Sequence, residues 1–362
     1  MRNIILGGNE PVKKPYKGVS LFTGAGGMDV GFKAAGIDVL WANEIDKDAA
    51  RTFEENNPNT ILRNQDIKEV IHELNDYKGV DVLFGGPPCQ GFSVAGKMDP
   101  NDERSKLIWE YMKAVEIVRP KAFVMENVKA LGKLTKWEDV RTEIVKQAQD
   151  LGYSCEYVIL NSADFGVPQK RERVFFIGIK DKELTHEMLM ERLKEYTEKP
   201  KTVRETILEL GEIGSEDNPI TCSAKITLAQ KPVMRKSPYA GMMFNGMGRP
   251  INIDDTANTL PASMGGNKTP IIDEVLLRNP DEHDWVVDYH AQLMENPEIA
   301  EYKEAPSRLR RISTKEAAAI QSFPKDYIFH GPKTSVYKQI GNAVPCKLAS
   351  AVAKTVLSFI EE

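Results

Sequence analysis

Short hydrophobic runs alternate with amphipathic segments through the first half of the chain. Runs rich in β-branched and aromatic residues predict strands, and apolar residues at helical spacing predict helices. Repeated alternation of strand and helix is typical of an α/β fold with a doubly wound, mostly parallel sheet. The predicted strands are residues 18–23, 37–44, 60–63, 80–84 and 121–126, and the predicted helices are residues 28–35, 47–56, 104–118 and 136–151.

The pattern changes in the second half of the chain. Residues 153–161 and 173–180 are strand-like with no helix between them, which predicts an antiparallel pair at one edge of the sheet. Between residues 190 and 307 periodicity fades and Gly, Pro and Asn become common, which predicts a smaller, loop-rich second domain. Helices are predicted over residues 313–323, where Ser313 and Glu316 have capping-box spacing, and over residues 347–359. We therefore expect a first domain over residues 1–190, a second over 191–330, and a segment over 331–362 that returns to the first domain.

The composition is that of an ordinary soluble protein of 362 residues, with 41% hydrophobic and 28% charged residues. No run of about 18 apolar residues occurs, and the polar N-terminus lacks a secretory signal, so no membrane span and a cytoplasmic location are expected. The four cysteines and five histidines are not spaced like metal ligands, so no metal is expected. The net charge of −5 does not decide for or against nucleic acid. The basic clusters at residues 170–173 and 308–311 are more readily interpreted as solvated faces than as phosphate contacts.

A glycine-rich turn, residues 24–27, follows the first predicted strand. Glycines at this place let a ligand approach the backbone beside a helix N-terminus. The dinucleotide pattern GxGxxG fails, because Asp29 stands where the third glycine belongs. Glu44 and Asp66 follow the next strands, where they could bind ribose hydroxyls and a ring amino group. The turn and the two acids suit an adenosyl ligand without a pyrophosphate; the alternative is a structural turn with ordinary surface acids.

The segment Gly85-Gly86-Pro87-Pro88-Cys89-Gln90-Gly91-Phe92-Ser93 is the most specific in the chain. Two prolines fix the backbone before Cys89 at the end of a predicted strand, where inert core packing is a poor explanation. That explanation suits Cys155 and Cys346 better. Residues 91–106 are polar and include Gly91, Gly96 and Pro100, which predicts a lid that closes over a substrate. Glu126 ends another strand at the same edge, where burial would raise its pKa.

Five motifs in order resemble those of the bacterial DNA cytosine-5 methyltransferases of restriction-modification systems. They are Leu21-Phe22-Thr23-Gly24-Ala25-Gly26-Gly27, Gly86-Pro87-Pro88-Cys89-Gln90-Gly91-Phe92-Ser93, Glu126-Asn127-Val128, Gln169-Lys170-Arg171-Glu172-Arg173 and Gly341-Asn342-Ala343-Val344-Pro345. The fourth differs from the family in having Lys170 in place of the usual arginine. The resemblance implies an S-adenosylmethionine-dependent methyltransferase fold, with residues 1–190 catalytic and cofactor-binding and residues 191–330 forming the target recognition domain and hinge.

The resemblance also implies residue roles, with S-adenosylmethionine as cofactor and S-adenosylhomocysteine as product. The chemistry is assigned to Cys89, Glu126, Arg171 and Arg173. The cofactor is assigned to Phe22, Thr23, Gly24, Gly26, Gly27, Glu44, Ile45, Asp66, Ile67, Pro88, Leu107 and Asn342. Contacts with double-stranded DNA are assigned to Gln90, Ser93, Thr259 and Arg249, and Asn245, Asn258 and Asn267 are further candidates for reading base edges.

The implied reaction begins when the Cys89 thiolate adds to C6 of a flipped cytosine, which makes C5 nucleophilic. Three alternatives stay open. One is a transfer-RNA cytosine-5 methyltransferase, another a catalytically silent DNA-binding protein, and the third an NAD oxidoreductase, which the failed GxGxxG spacing disfavours. A functionally paired restriction endonuclease is also expected, without direct contact.

Overall fold

The first lobe of the protein is built on a seven-stranded sheet. The computed structural model describes residues 15–88 and 106–361. The sheet order is β3-β2-β1-β4-β5-β8-β6, with the first five strands parallel and β8 antiparallel to both its neighbours. This arrangement confirms the predicted fold class and the antiparallel pair at one edge. The strands of this lobe are β1 (Tyr16–Leu21), β2 (Ile37–Asn43), β3 (Ile61–Arg63), β4 (Val82–Gly85), β5 (Ala122–Val128), β6 (Tyr153–Asn161), the short β7 (Gln169–Lys170) and β8 (Glu172–Lys180).

Helices cover both faces of this sheet, as the strand–helix alternation predicts. They are α1 (Gly27–Ala34), α2 (Lys47–Asn56), α3 (Ile67–Val70), α4 (Leu107–Val118), α5 (Lys129–Lys133), α6 (Glu138–Asp150) and α7 (His186–Lys194). One core contains α3, α4 and α6, and the core on the other face contains α1 and α7. The predicted domain boundary at residue 190 falls inside α7, whose Leu189 and Leu193 are buried in the first lobe.

The second lobe has short elements around two smaller cores. Its elements are α8 (Val203–Leu208), β9 (Leu228–Val233), β10 (Met242–Phe244), β11 (Ala257–Asn258), β12 (Ile271–Asp273), α9 (Glu274–Arg278), α10 (Trp285–Glu295), β13 (Leu309–Arg311), α11 (Thr314–Ile320) and α12 (Lys333–Asn342). Strand β9 pairs with β10 and β12 with β13, while β11 pairs with β7 and so connects the two lobes.

Helix α10 corrects the expectation that periodicity is lost between residues 190 and 307. The Asp284 side chain caps its first turn by accepting from the amides of Val286 and Val287. Its buried residues repeat every three or four positions, and they are Val286, Tyr289, His290 and Leu293. The pattern is hard to see in the sequence, because the valines and aromatic residues of this segment are also typical of strands.

The last helix, α13 (Cys346–Glu361), returns to the first lobe and packs against α1. The packing is close, because a Cβ atom on Gly31 would lie 2.4 Å from the carbonyl oxygen of Cys346. Residues 333–361 are long and apolar enough to span a membrane by length and composition alone, since an 18-residue window within them has a mean hydropathy of 1.4. Within that segment 67% of the apolar window is buried inside the protein, so it is accounted for as core packing.

Candidate functional site

The turn after β1 carries the first of the predicted cofactor contacts. Phe22 and Gly24 have left-handed conformations, with φ of 54° and 56°, and the chain therefore turns sharply at the sheet edge. The amide of the buried Thr23 donates to the carbonyl of Asn43 at 3.1 Å, which ties the turn to the end of β2. A Cβ atom on Gly24 would meet no atom of the described residues within 4 Å. The turn is thus open to a ligand at Gly24.

Gly26 and Gly27, two further predicted cofactor residues, are buried against other parts of the chain. A Cβ on Gly26, where φ is 81°, would lie 2.7 Å from the hydroxyl of Tyr327. A Cβ on Gly27 would lie 2.6 Å from the carbonyl oxygen of Val344. Both positions therefore require glycine for close packing behind the turn, whereas Gly24 alone of the three lies on its open side.

Glu44, at the end of β2, is bonded directly to this turn. Its carboxylate accepts from the amide of Gly24 at 2.7 Å and from the amide of Asp46 at 2.8 Å. Burial raises the pKa of Glu44 despite these two hydrogen bonds, which act in the opposite direction. The next side chain, Ile45, is 63% exposed. A carboxylate and an exposed apolar side chain thus lie together beside the open turn.

The other predicted cofactor residues differ in exposure. Asp66 caps α3, its side chain accepting a backbone amide at 3.0 Å. Ile67 is only 2% exposed and its side chain packs in the core. Pro88 and Asn342 are exposed, and Leu107 is half-buried at the start of α4.

A largely buried ion pair lies at the end of β5. The guanidinium Nε of Arg173 is 2.9 Å from Oε1 of Glu126, and the two side chains are only 15% and 13% exposed. The register of β5 and β8 pairs Glu126 with Phe175, so Arg173 is two residues away along the neighbouring strand. Burial raises the pKa of Glu126, although Arg173 and Arg171 lower it in part. A Cβ on Gly86 would lie 2.8 Å from Glu126 Oε2, so this carboxyl group borders the segment that leads to Cys89.

Arg171 lies behind that pair, with 1% exposure. Its Nη1 donates to the carbonyl of Leu260 at 3.3 Å, and its Nη2 donates to the carbonyls of Gly341 at 2.8 Å and Asn342 at 3.4 Å. Burial lowers the pKa of Arg171, and the neighbouring charge of Arg173 acts in the same direction. The guanidinium therefore joins backbone segments, and its role in the chemistry stays a prediction.

Asn127 is a residue whose role the sequence did not reveal. It is 1% exposed, and its Nδ2 donates to the carbonyl of Pro87 at 3.2 Å. Its Oδ1 accepts from the amide of Val128. The residue belongs to the Glu-Asn-Val motif, and that motif was the available signal. Asn127 thus connects the end of β5 to the proline segment after β4.

The predicted DNA-reading residues of the second lobe are mostly exposed. Thr259, Arg249, Asn258 and Asn267 lie at the surface, and the hydroxyl of Thr259 donates to the carbonyl of Lys170 at 2.9 Å. Asn245 differs, because its Nδ2 donates to the Thr227 hydroxyl at 3.0 Å and to a backbone carbonyl at 2.8 Å. Its side-chain donors are thereby engaged within the lobe.

The solvated faces that the sequence suggested for the two basic clusters hold for Lys170, which is exposed, but not for the largely buried arginines. Lys170 pairs with Asp255 at 2.7 Å, and Arg308 pairs with the buried Asp273 at 2.8 Å. Arg310 bonds Glu274 at 2.6 Å and Glu316 at 2.7 Å. Arg311 is buried and donates to backbone carbonyls. The three arginines of the second cluster thus stabilise the second lobe, whereas Lys170 forms an exposed ion pair between the two lobes.

Three of the predicted residues, Cys89, Gln90 and Ser93, lie outside the described residues, as does most of the predicted lid over residues 91–106. Among the described cysteines, Cys155 and Cys346 are buried and Cys222 is half-buried. Burial raises the pKa of Cys155 and of Cys346, as expected for inert thiols. No group of three potential metal ligands occurs in residues 15–88 and 106–361.

A family model of C-5 cytosine-specific DNA methylases matches residues 16–358. The chain belongs to this family. This DNA methylase is therefore an enzyme that methylates carbon 5 of cytosine in DNA, and methyltransferases of the family use S-adenosylmethionine.

Named relatives support the assignment of the methylase. It is 33% identical over 355 residues to the type II methyltransferase M1.HphI of Haemophilus parahaemolyticus, covering 94% of this chain and 86% of that protein. It is 32% identical over 351 residues to the type II methyltransferase M.FnuDI of Fusobacterium nucleatum, with 93% of each chain covered. The fold is similar to the crystal structure of S. pombe Dnmt2 methyltransferase, with a TM-score of 0.66 at 16% identity over 96% of this chain and all of that chain.

Proposed function

We propose that the methylase acts on a cytosine flipped out of a specific double-stranded DNA sequence, with Cys89 as the nucleophile. The supporting observation is the bond from Asn127 to Pro87, together with the Glu126–Arg173 pair beside Gly86. A pyrimidine cannot meet a protein thiolate and the cofactor while it is stacked, so it must leave the helix, at a cost of a few kcal/mol.

The first chemical step is addition of the Cys89 thiolate to C6 of the cytosine. Glu126 is the group that stabilises this addition by donating a proton in a hydrogen bond to N3, where negative charge develops. The raised pKa of Glu126 favours the protonated form that this role needs. Arg173 holds the carboxyl group in place through the bond from its Nε to Oε1. Loss of the C5 proton after methylation expels Cys89.

The open turn at Gly24 fits an adenosyl cofactor. Gly24 has no close neighbour among the described residues, Glu44 offers a carboxylate beside it, and Ile45 presents an exposed apolar surface. Glu44 would bind the ribose hydroxyls, Ile45 and Phe22 would contact the adenine ring, and Asp66 would accept from its amino group. When bound, S-adenosylmethionine supplies the methyl group.

The second lobe would contact the duplex through Thr259, Arg249, Asn258 and Asn267, which are exposed. Gln90 and Ser93 would contact the DNA from the opposite side. The type II names of the relatives support a role in restriction-modification, with a paired endonuclease that needs no contact with the methylase. A cytoplasmic location follows from that role.

Covalent trapping tests the proposal. A duplex that carries 5-fluorocytosine cannot lose a C5 proton, so the wild-type enzyme with S-adenosylmethionine should form a complex that survives denaturing electrophoresis. Cys89→Ser should form none, while Cys222→Ser, which changes a half-buried cysteine of the second lobe, should trap as the wild type does. Equal trapping by Cys89→Ser would overturn the assignment, and trapping on transfer RNA in place of duplex DNA would overturn the substrate.

A further inference from the structure

A chain of buried side-chain amides connects the two lobes behind the site. Gln169 and Gln321 are both fully buried, and they are 152 residues apart in the sequence. Nε2 of Gln169 donates to Oε1 of Gln321 at 2.9 Å. Oε1 of Gln169 accepts from the amide of Leu260 at 2.8 Å. One end of this hydrogen-bond chain therefore binds a backbone amide of the second lobe.

The other end of this hydrogen-bond chain binds the backbone segment that contains Asn342. Nε2 of Gln321 donates to the carbonyls of Ile340 at 2.7 Å and Ala343 at 3.4 Å. Arg171 links the same two segments a second time, since it donates to the carbonyls of Leu260, Gly341 and Asn342. We call this closed set of hydrogen bonds the circuit. Both polar backbone groups of Leu260 are thus held by side chains whose other bonds lead to residues 340–343.

The donors and acceptors of this circuit agree in only one orientation. The Leu260 amide is a donor, so Gln169 must present its oxygen there and its NH2 to Gln321. Gln321 must then present its oxygen to Gln169 and its NH2 to the two carbonyls. Flipping either amide would set donor against donor and acceptor against acceptor in a buried place, where each unsatisfied group is costly. The circuit therefore fixes both glutamine side chains in a single orientation.

The two ends also touch directly. A Cβ on Gly341 would lie 2.6 Å from the carbonyl oxygen of Pro261 and 2.6 Å from Cα of Ala262. The backbone that follows Leu260 is thereby in contact with the backbone that precedes Asn342. A shift of either segment must displace the other, because packed interiors do not deform freely.

We propose that Gln321 is a positioning residue that couples cofactor binding near Asn342 to the placement of Thr259 and Leu260 against DNA. The inference rests on the proposed placement of the cofactor beside Asn342 and of the duplex beside Thr259. Gln321 touches neither ligand in this scheme; it acts through Gln169 and through the carbonyls of Ile340 and Ala343.

The test measures duplex affinity with and without S-adenosylhomocysteine. Allosteric coupling of ordinary size changes an affinity by about five-fold or more, and we expect the wild-type protein to bind the duplex at least that much more tightly with the cofactor product bound. Gln321→Glu removes the NH2 donor and keeps the size of the side chain, so it should reduce this ratio to near one. If Gln321→Glu folds poorly, Gln169→Glu replaces it in the test. This substitution keeps the acceptor for Leu260 and removes the donor to Gln321, so it should also reduce the affinity ratio to near one.

Gln339→Glu is the matched control. Gln339 is also a buried glutamine of this region, with an acceptor bonded to Thr52 at 2.7 Å and a donor bonded to the carbonyl of His330 at 2.8 Å, but no bond to Gln169 or Leu260. It should lower the melting temperature and leave the affinity ratio at the wild-type value. A wild-type ratio near one, or an equal fall in the ratio for Gln339→Glu, would overturn the inference. Covalent trapping by the wild-type enzyme tests the proposed chemistry separately.

Discussion

Asp29 offers a sharp test of the electrostatics behind the cofactor turn. It lies in the first turn of α1 with 1% exposure, and neither of its carboxyl oxygens has a hydrogen-bond partner among the described residues. Burial raises the pKa of Asp29 from 3.8 to about 7, and the nearby Ser20 hydroxyl offsets this only in part. The perturbation is Asp29→Asn, which keeps the shape of the side chain and cannot ionise.

The direction in which pH changes the free energy of unfolding follows from proton binding. Between pH 4 and pH 7 the folded protein keeps a proton on Asp29 that the unfolded chain releases, so the free energy of unfolding falls as pH rises. Each pH unit in that interval costs about 1.4 kcal/mol. The interval from pH 5 to pH 7 spans two such units, and the effect levels off above pH 7. The free energy of unfolding should therefore fall by roughly 2–3 kcal/mol from pH 5 to pH 8.

Urea unfolding of both proteins at a series of pH values measures the effect. The wild-type protein should lose those roughly 2–3 kcal/mol relative to Asp29→Asn between pH 5 and pH 8, whatever constant offset the helix dipole adds. Asp38→Asn, at an exposed strand residue, should leave the wild-type pH dependence unchanged. A stability difference between wild type and Asp29→Asn that stays constant from pH 5 to pH 8 would refute the reasoning.

Other predictions concern the ligands. Glu126→Gln should lower kcat by about 10²–10³-fold, as loss of a transition-state donor does, with little change in the calorimetric affinity for S-adenosylhomocysteine; an unchanged kcat would exclude Glu126 from the chemistry. Glu44→Gln should weaken S-adenosylhomocysteine binding about 10-fold or more, because the side-chain NH2 must now face the backbone amide of either Gly24 or Asp46; equal calorimetric affinity would remove Glu44 from the pocket. Arg249→Ala should reduce the slope of log affinity against log salt by about one if the residue contacts phosphate, and it should instead relax sequence preference if the residue reads a base.

The central sheet was predictable because its signals are local. Strand β4 and helix α4 each carry their pattern within a dozen residues, and the antiparallel β6 and β8 follow from the lack of a helix between them. The capping box at the start of α11 was also visible, since Ser313 and Glu316 are three residues apart. Helix α10 could not be predicted, because its buried residues are as typical of strands as of helices.

The site was predictable only in part, for a related reason. The identity of Glu126 and Arg173 could be inferred from motifs, but their ion pair depends on strand register between β5 and β8. The bonds of Arg171 and the Gln169–Gln321 pair join residues far apart in the sequence, and no periodic pattern marks such pairs. Ile67 was assigned to the pocket by the family resemblance, which could not show that its side chain packs in the core at the start of a short helix.

The contact of α1 with α13 has a consequence for the order of synthesis. Helix α1 packs against residues that are translated some three hundred codons later, with Gly27 against Val344 and Gly31 against Cys346. While the second lobe is still being translated, Gly27 and Gly31 therefore lack these packing partners. The packing of α1 in the first lobe is thus completed only after residues 344–361 have been translated.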